Sequence, residues 1–129
     1  MILGRWYRED FALDGEAPVS HETIMFAVDG SCRYVRSGTA YYPSGKPAPW
    51  REEQRGEWQL GNRILKRTWR ATSELPARSE EGEVLALSAE ELRLREFPFN
   101  HFDNYYRTIR IRSVKTNRPN RAIEPTPSD

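Results

Sequence analysis

Cysteine is nearly missing from this chain of 129 residues. Cys32 stands alone, which excludes an internal disulfide and any cysteine metal cluster. Histidine is almost as scarce: His21 and His101 are the only two, and they do not form a His-x-x-x-His or similar ligand spacing. Nothing in the sequence calls for a metal or a cofactor. Charge of one sign is not in excess either. Twenty basic residues face nineteen acidic ones for a net charge of +1, so no global field favours nucleic acid. No apolar run approaches the roughly 20 residues of a membrane span. Met1–Trp6 lacks the apolar stretch of a signal peptide, so the chain as it stands reads as cytoplasmic, or as secreted or periplasmic if a leader has been removed. Lysine occurs only as Lys46, Lys66 and Lys115, so the positive charge is almost all Arg, the better residue for fixed carboxylate pairs and for stacking on rings.

Helical periodicity is also missing. Short alternating runs dominate instead, broken by Gly, Pro, Asp and Asn. Eight strands are predicted: Gly4–Phe11, His21–Val28, Ser31–Tyr42, Arg51–Leu60, Arg63–Thr72, Glu83–Ser88, Glu91–Phe97 and Asn104–Val114. Asp29-Gly30 and Gly61-Asn62 are hairpin signals, because tight turns need residues that tolerate positive φ. Ser88–Glu91 makes a third short reversal. Consecutive hairpins give a meander, and eight antiparallel strands favour closure, which removes exposed edges. The expected architecture is therefore all-β: one eight-stranded antiparallel up-and-down barrel over residues 1–114. Asp14–Pro18, Pro43–Trp50 and Ser73–Gly82 read as loops. Residues 115–129, with Pro119, Pro125 and Pro127, read as a disordered tail.

Turn geometry predicts faces. A three-residue loop with Gly30 in the left-handed position pairs Phe26 with Cys32, Ile24 with Tyr34 and Glu22 with Arg36. A two-residue loop at Gly61-Asn62 pairs Leu60 with Arg63. Glu57 then faces Lys66 and Glu53 faces Arg70 outside, with Trp58–Leu65, Gly56–Arg67 and Gln54–Trp69 inside. In the third hairpin Leu87 faces Leu92 and Leu85 faces Leu94. In the last strand Tyr105, Arg107, Ile109 and Ile111 share one face, opposite Tyr106, Thr108, Arg110 and Arg112.

Four motifs occur in a telling order: Leu3-Gly4-Arg5-Trp6, Phe26-Ala27-Val28-Asp29-Gly30, Gly56-Glu57-Trp58-Gln59-Leu60 and Leu87-Ser88-Ala89-Glu90-Glu91-Leu92. Over roughly Leu3 to Arg112 they resemble the Gly-x-Trp strands and hairpins of the small bacterial lipocalin-like (calycin-type) barrels. The resemblance implies a barrel closed at one end, with a small-molecule cavity at the other. It also implies an Arg of the last strand stacked on Trp6 at the closed end. Fold alone does not assign function.

Arg67 and Arg107 fall on the predicted inner face, where an unpaired guanidinium is costly. With Tyr105 they are candidates to hold a ligand carboxylate. Equally, one of them closes the barrel bottom on Trp6, or either snorkels out at a rim. Trp58, Trp69, Phe26 and Tyr34 are candidates to line an apolar pocket, or they are plain core. No catalytic set emerges. Glu80-Glu81 and Glu90-Glu91 read as solvated turn charge, Ser20-His21 is no triad, His101-Phe102-Asp103 looks like a surface loop, and Cys32 reads as a small hydrophobe. The expected role is non-enzymatic binding of a small apolar or amphipathic molecule. The alternative is a filled barrel that meets a protein partner through its rim loops, chiefly Pro43–Trp50.

Overall fold

The computed structural model describes residues 2–13, 18, 20–98 and 100–114. Ten strands form: β1 (Gly4–Arg8), β2 (Asp10–Leu13), β3 (Ser20–Phe26), β4 (Ser31–Tyr41), β5 (Pro47–Gly61), β6 (Ile64–Trp69), β7 (Arg78–Leu87), β8 (Glu91–Phe97), β9 (His101–Tyr106) and β10 (Ile111–Val114). Eight of them close into a barrel in the order β1-β3-β4-β5-β6-β7-β8-β9, every neighbour antiparallel. The expected single up-and-down barrel is what forms, and closure leaves it no free edge. The expected tail, 115–129, lies outside the described residues, as does most of the Asp14–Pro18 loop.

The β3–β4 hairpin forms as expected. Phe26 pairs with Cys32, Ile24 with Tyr34 and Glu22 with Arg36, and Gly30 turns the chain at φ 91°. The β5–β6 hairpin is a correction. Its turn is Asn62-Arg63, at φ 51° and 64°, so Leu60 pairs with Leu65, Trp58 with Arg67 and Gly56 with Trp69. The two-residue turn has moved one place along the chain, which slides the pairing by two and keeps every side chain on its expected face. Gly56 leaves no room for a neighbour, because the β6 backbone fills it. A Cβ there would stand 1.8 Å from the Thr68 carbonyl oxygen. In the β7–β8 hairpin Leu87 meets Leu92, but a bulge between Val84 and Ala86 puts Val84, not Leu85, opposite Leu94.

The ends of four strands also differ from expectation. β7 begins at Arg78, so Glu80 and Glu81 belong to a strand rather than a loop. The expected first strand divides into β1 and β2, and the expected last one into β9 and β10. β10 leaves the barrel to pair in parallel with β2, which leaves Ile109 and Ile111 exposed rather than inward. Pro47–Trp50 is strand, not loop. Tyr42 N–H donates to Lys46 O at 2.9 Å, so Tyr41–Pro47 and Thr39–Pro49 fall at the non-hydrogen-bonded pairs of the ladder. Each proline's missing N–H therefore faces the free edge of β5, where it costs no ladder bond. β4 and β5 pair on past Ser20 of β3, as a two-stranded arm that overhangs one end of the barrel.

The inner faces order the interior into layers. The turns 27–31, 62–63 and 88–90 sit at one end. There Trp6, Phe26, Cys32, Leu65, Leu92, Leu94 and Tyr105 pack into a dry core. Phe26 meets Trp58 edge-to-face at 5.4 Å. The indole N–H groups of Trp6 and Trp58 donate to the carbonyls of Ile2 (2.8 Å) and Ala27 (2.9 Å), so Trp6 is buried and Trp58 half-buried without stranding a donor. A fully buried large apolar side chain contributes about 1.5–3 kcal/mol.

Candidate functional site

The opposite end is open and polar. Reading each strand's inner face from the closed end outward, apolar residues give way to charged or polar ones on every strand but β6, which ends in Trp69. The sequence of side chains is Trp6 then Arg8 on β1, Phe26-Ile24-Glu22 on β3, Cys32-Tyr34-Arg36 on β4 and Trp58-Gly56-Gln54 on β5. It continues as Leu65-Arg67-Trp69 on β6, Val84-Gly82-Glu80 on β7, Leu92-Leu94-Glu96 on β8 and Tyr105-Asp103 on β9. These outer positions surround a cavity of about 520 Å³. Its wall comprises Arg8, Arg36, Arg67 and Arg78; Glu9, Asp10, Glu22, Glu80, Glu96 and Asp103; and His101, Ser20, Ile24, Phe11, Tyr34, Trp69, Phe97 and Tyr105. The volume is that of a small-molecule site.

Ion pairs tie the charged wall together. Arg67 is 2% exposed and grips Glu96 with both terminal nitrogens, at 3.1 and 2.5 Å, while Glu80 lies 3.8 Å away. Burial pushes the guanidinium's pKa down, but hydrogen bonding and charge from Glu96 outweigh it and hold Arg67 above its ordinary value. Burial pushes Glu96 above the usual carboxylate range against the pull of Arg67, and neighbouring Asp103 raises it further. Arg8 spans two carboxylates, Asp103 at 2.6 Å and Glu22 at 3.4 Å. Tyr105, fully enclosed, donates its hydroxyl to Glu22 at 3.4 Å. Burial first, then the charges of Glu22 and Asp103, raise its pKa well above the ordinary range.

An aromatic wall stands beside these pairs. Tyr34 and Trp69 lie 5.8 Å apart, and the Arg78 guanidinium covers both rings. The Trp69 indole donates to Glu80 at 3.0 Å. Burial, then Glu22, pushes the Tyr34 hydroxyl up to about 12. Gln54 secures the segment that follows β6. Its amide donates to the carbonyls of Arg70 and Pro76 and accepts from Arg78. At the mouth Arg36 lies 5.3 Å from the Trp50 ring centroid, which joins the arm to the cavity wall.

The structure brings four of the seven residues singled out from the sequence to this cavity: Arg67, Tyr105, Trp69 and Tyr34. Three lie elsewhere. Phe26 and Trp58 pack in the closed end. Arg107 stacks 3.7 Å over Trp6 and donates to the carbonyls of Arg5 (3.0 Å) and Leu3 (2.7 Å). Of the readings open for Arg107, the plug on Trp6 is the one its position matches, and it stands far from a ligand in the open end.

Sequence reasoning missed Glu22, Glu80, Glu96, Asp103 and Arg8 as cavity residues. A signal was present, since each sits two residues outward from an inner-face residue. His101-Phe102-Asp103 is strand rather than loop, and it sets His101 Nε2 3.5 Å from Asp103. His21 lies 2.6 Å from Asp10. Among the described residues no group of three or more His, Cys, Asp or Glu is placed to hold a metal ion, and no helix is long and apolar enough to cross a membrane.

A closed eight-stranded meander with one end plugged and a cavity in the other is lipocalin-like in architecture. No family model matches the chain, and no curated protein matches it. Solved structures similar in backbone include the following two. A lipocalin-like protein from Bacteroides uniformis is 16% identical, with a TM-score of 0.49 over 84% of this chain and 98% of that one. An uncharacterized protein from Bacteroides eggerthii is 14% identical, with a TM-score of 0.49 over 82% of this chain and 98% of that one.

Proposed function

We propose that the protein binds one small amphipathic molecule, without chemical change, in the open end of the barrel. The observation that carries this reading is the cavity of about 520 Å³, whose wall combines aromatic rings with charged groups. Tyr34, Trp69 and Ile24 supply the apolar contact, and Arg67 and Tyr105 stand at the polar end among paired carboxylates. The wall's own hydrogen bonds and ion pairs hold these groups, so a ligand meets a preorganised wall.

Two measurements test the reading. Native mass spectrometry of freshly purified protein looks for a small mass that is lost on denaturation. Titration with N-phenyl-1-naphthylamine, a neutral probe, is expected to give saturable fluorescence at one equivalent. Ser20→Trp, at the wall opposite Gly38, fills the cavity and is expected to abolish that signal. No saturable signal, or a signal that Ser20→Trp leaves intact, overturns the proposal.

A second reading, a protein contact through the Pro43–Trp50 segment, is favoured by one observation. The arm ends in Tyr41 and Tyr42, which are 70% and 57% exposed. Deleting Pro43–Pro49 removes the arm's tip and is expected to abolish partner capture. Intact capture rejects that contact.

A further inference from the structure

We infer that the polar group of the ligand is an organic cation, a protonated amine rather than a carboxylate. This rests on the proposed binding role of the same cavity and reverses the charge that Arg67 alone would suggest. Carboxylates outnumber guanidiniums on the wall by six to four.

Three of the four guanidiniums are also committed: Arg67, Arg8 and Arg78, the last paired with Glu80, whereas Arg36 reaches Glu52 only at 3.9 Å. Arg67 is enclosed and gives two hydrogen bonds to Glu96. A ligand carboxylate would have to displace a buried partner and strand it, which is costly. Arg8 is shared between Glu22 and Asp103, so one positive charge answers two negative ones. Asp103 is almost fully buried. Although Arg8 stands 2.6 Å away, its Oδ1 accepts no hydrogen bond of regular geometry among the described residues. An incoming ammonium therefore meets two carboxylates, Glu22 and Asp103, that share the one guanidinium of Arg8, with the His101 imidazole 3.5 Å from Asp103 beside them. The Tyr34 and Trp69 rings, on which Arg78 already rests, suit an apolar body attached to the amine. A metal ion is the poorer complement, because the carboxylates do not converge into a ligand set among the described residues.

The test is calorimetric titration of the whole chain with decylammonium, decanol and decanoate below their aggregation concentrations. The expected result is a one-to-one complex with decylammonium, about tenfold or more tighter than with decanoate, as one charge-assisted contact implies. Glu22→Gln is expected to cut that preference at least severalfold, and Ser20→Trp to remove decylammonium binding. If decanol or decanoate binds as tightly as decylammonium, the cation inference fails while the binding role stands. If none of the three binds, the binding role fails with it. Decylammonium binding that survives Ser20→Trp marks adsorption outside the cavity and overturns the inference.

Discussion

The two ends of this barrel are built from the same eight strands and the same inward alternation, yet their chemistry is opposite. The closed end is a packed core of Trp6, Phe26, Leu65 and Leu92, with Arg107 laid across the outside of Trp6. The open end holds Arg67, Glu96, Arg8 and Asp103 around a void. Hydrophobic burial holds the first end and needs no directional partner. Electrostatic pairing holds the second, where removing one partner leaves a buried charge alone. The closed end thus carries stability, and the open end can keep a cavity because its side chains are fixed by one another rather than by close packing.

That contrast can be broken at several points. The largest effect is expected from Trp6→Ala, which empties the core beneath the plug. It should cost about 4 kcal/mol in urea unfolding, and a loss below about 1 kcal/mol would show that the closed end is not the stabilising one. Next is Arg67→Met, which strands Glu96 and should cost roughly 3 kcal/mol. Adding Glu96→Leu should recover much of the loss, and a double variant no more stable than the single one would contradict the pairing argument. Arg107→Ala removes the stacking on Trp6 and two hydrogen bonds to carbonyls. It should cost about 1–2 kcal/mol yet leave N-phenyl-1-naphthylamine binding unchanged, because it lies at the other end.

The smallest effect concerns Cys32, whose thiol burial pushes up to about 11. Between pH 9 and that value the unfolded chain loses the thiol proton while the folded chain keeps it. Stability therefore falls as pH rises through this window, and Cys32→Ala should lessen the fall. Equal slopes for the two proteins would show that the thiol is not shielded.

Much of the fold is legible in residue order because hairpins are local. Asp29-Gly30 sets the β3–β4 register through a backbone conformation that Gly30 adopts without strain. The β5–β6 turn is harder to read, since Asn62 and Arg63 both take positive φ and an Arg there carries no turn signal. The bulge at Leu85 and the departure of β10 from the barrel answer to curvature and closure, which are not local. In the cavity, Arg67 was recognisable as an inward charge. Its partner Glu96 was not, because the two are joined through β7, which lies between them.

The sequence by itself determined the all-β class, the meander, the lone buried thiol and the inward alternation, since each follows from spacing and turn chemistry within a few residues. Only the tertiary structure decided which end is plugged, that Arg107 and Arg67 belong to opposite ends, and that Arg67 is already occupied by Glu96. Those facts depend on strand stagger and on contacts between residues 29 and more positions apart, which no local pattern encodes.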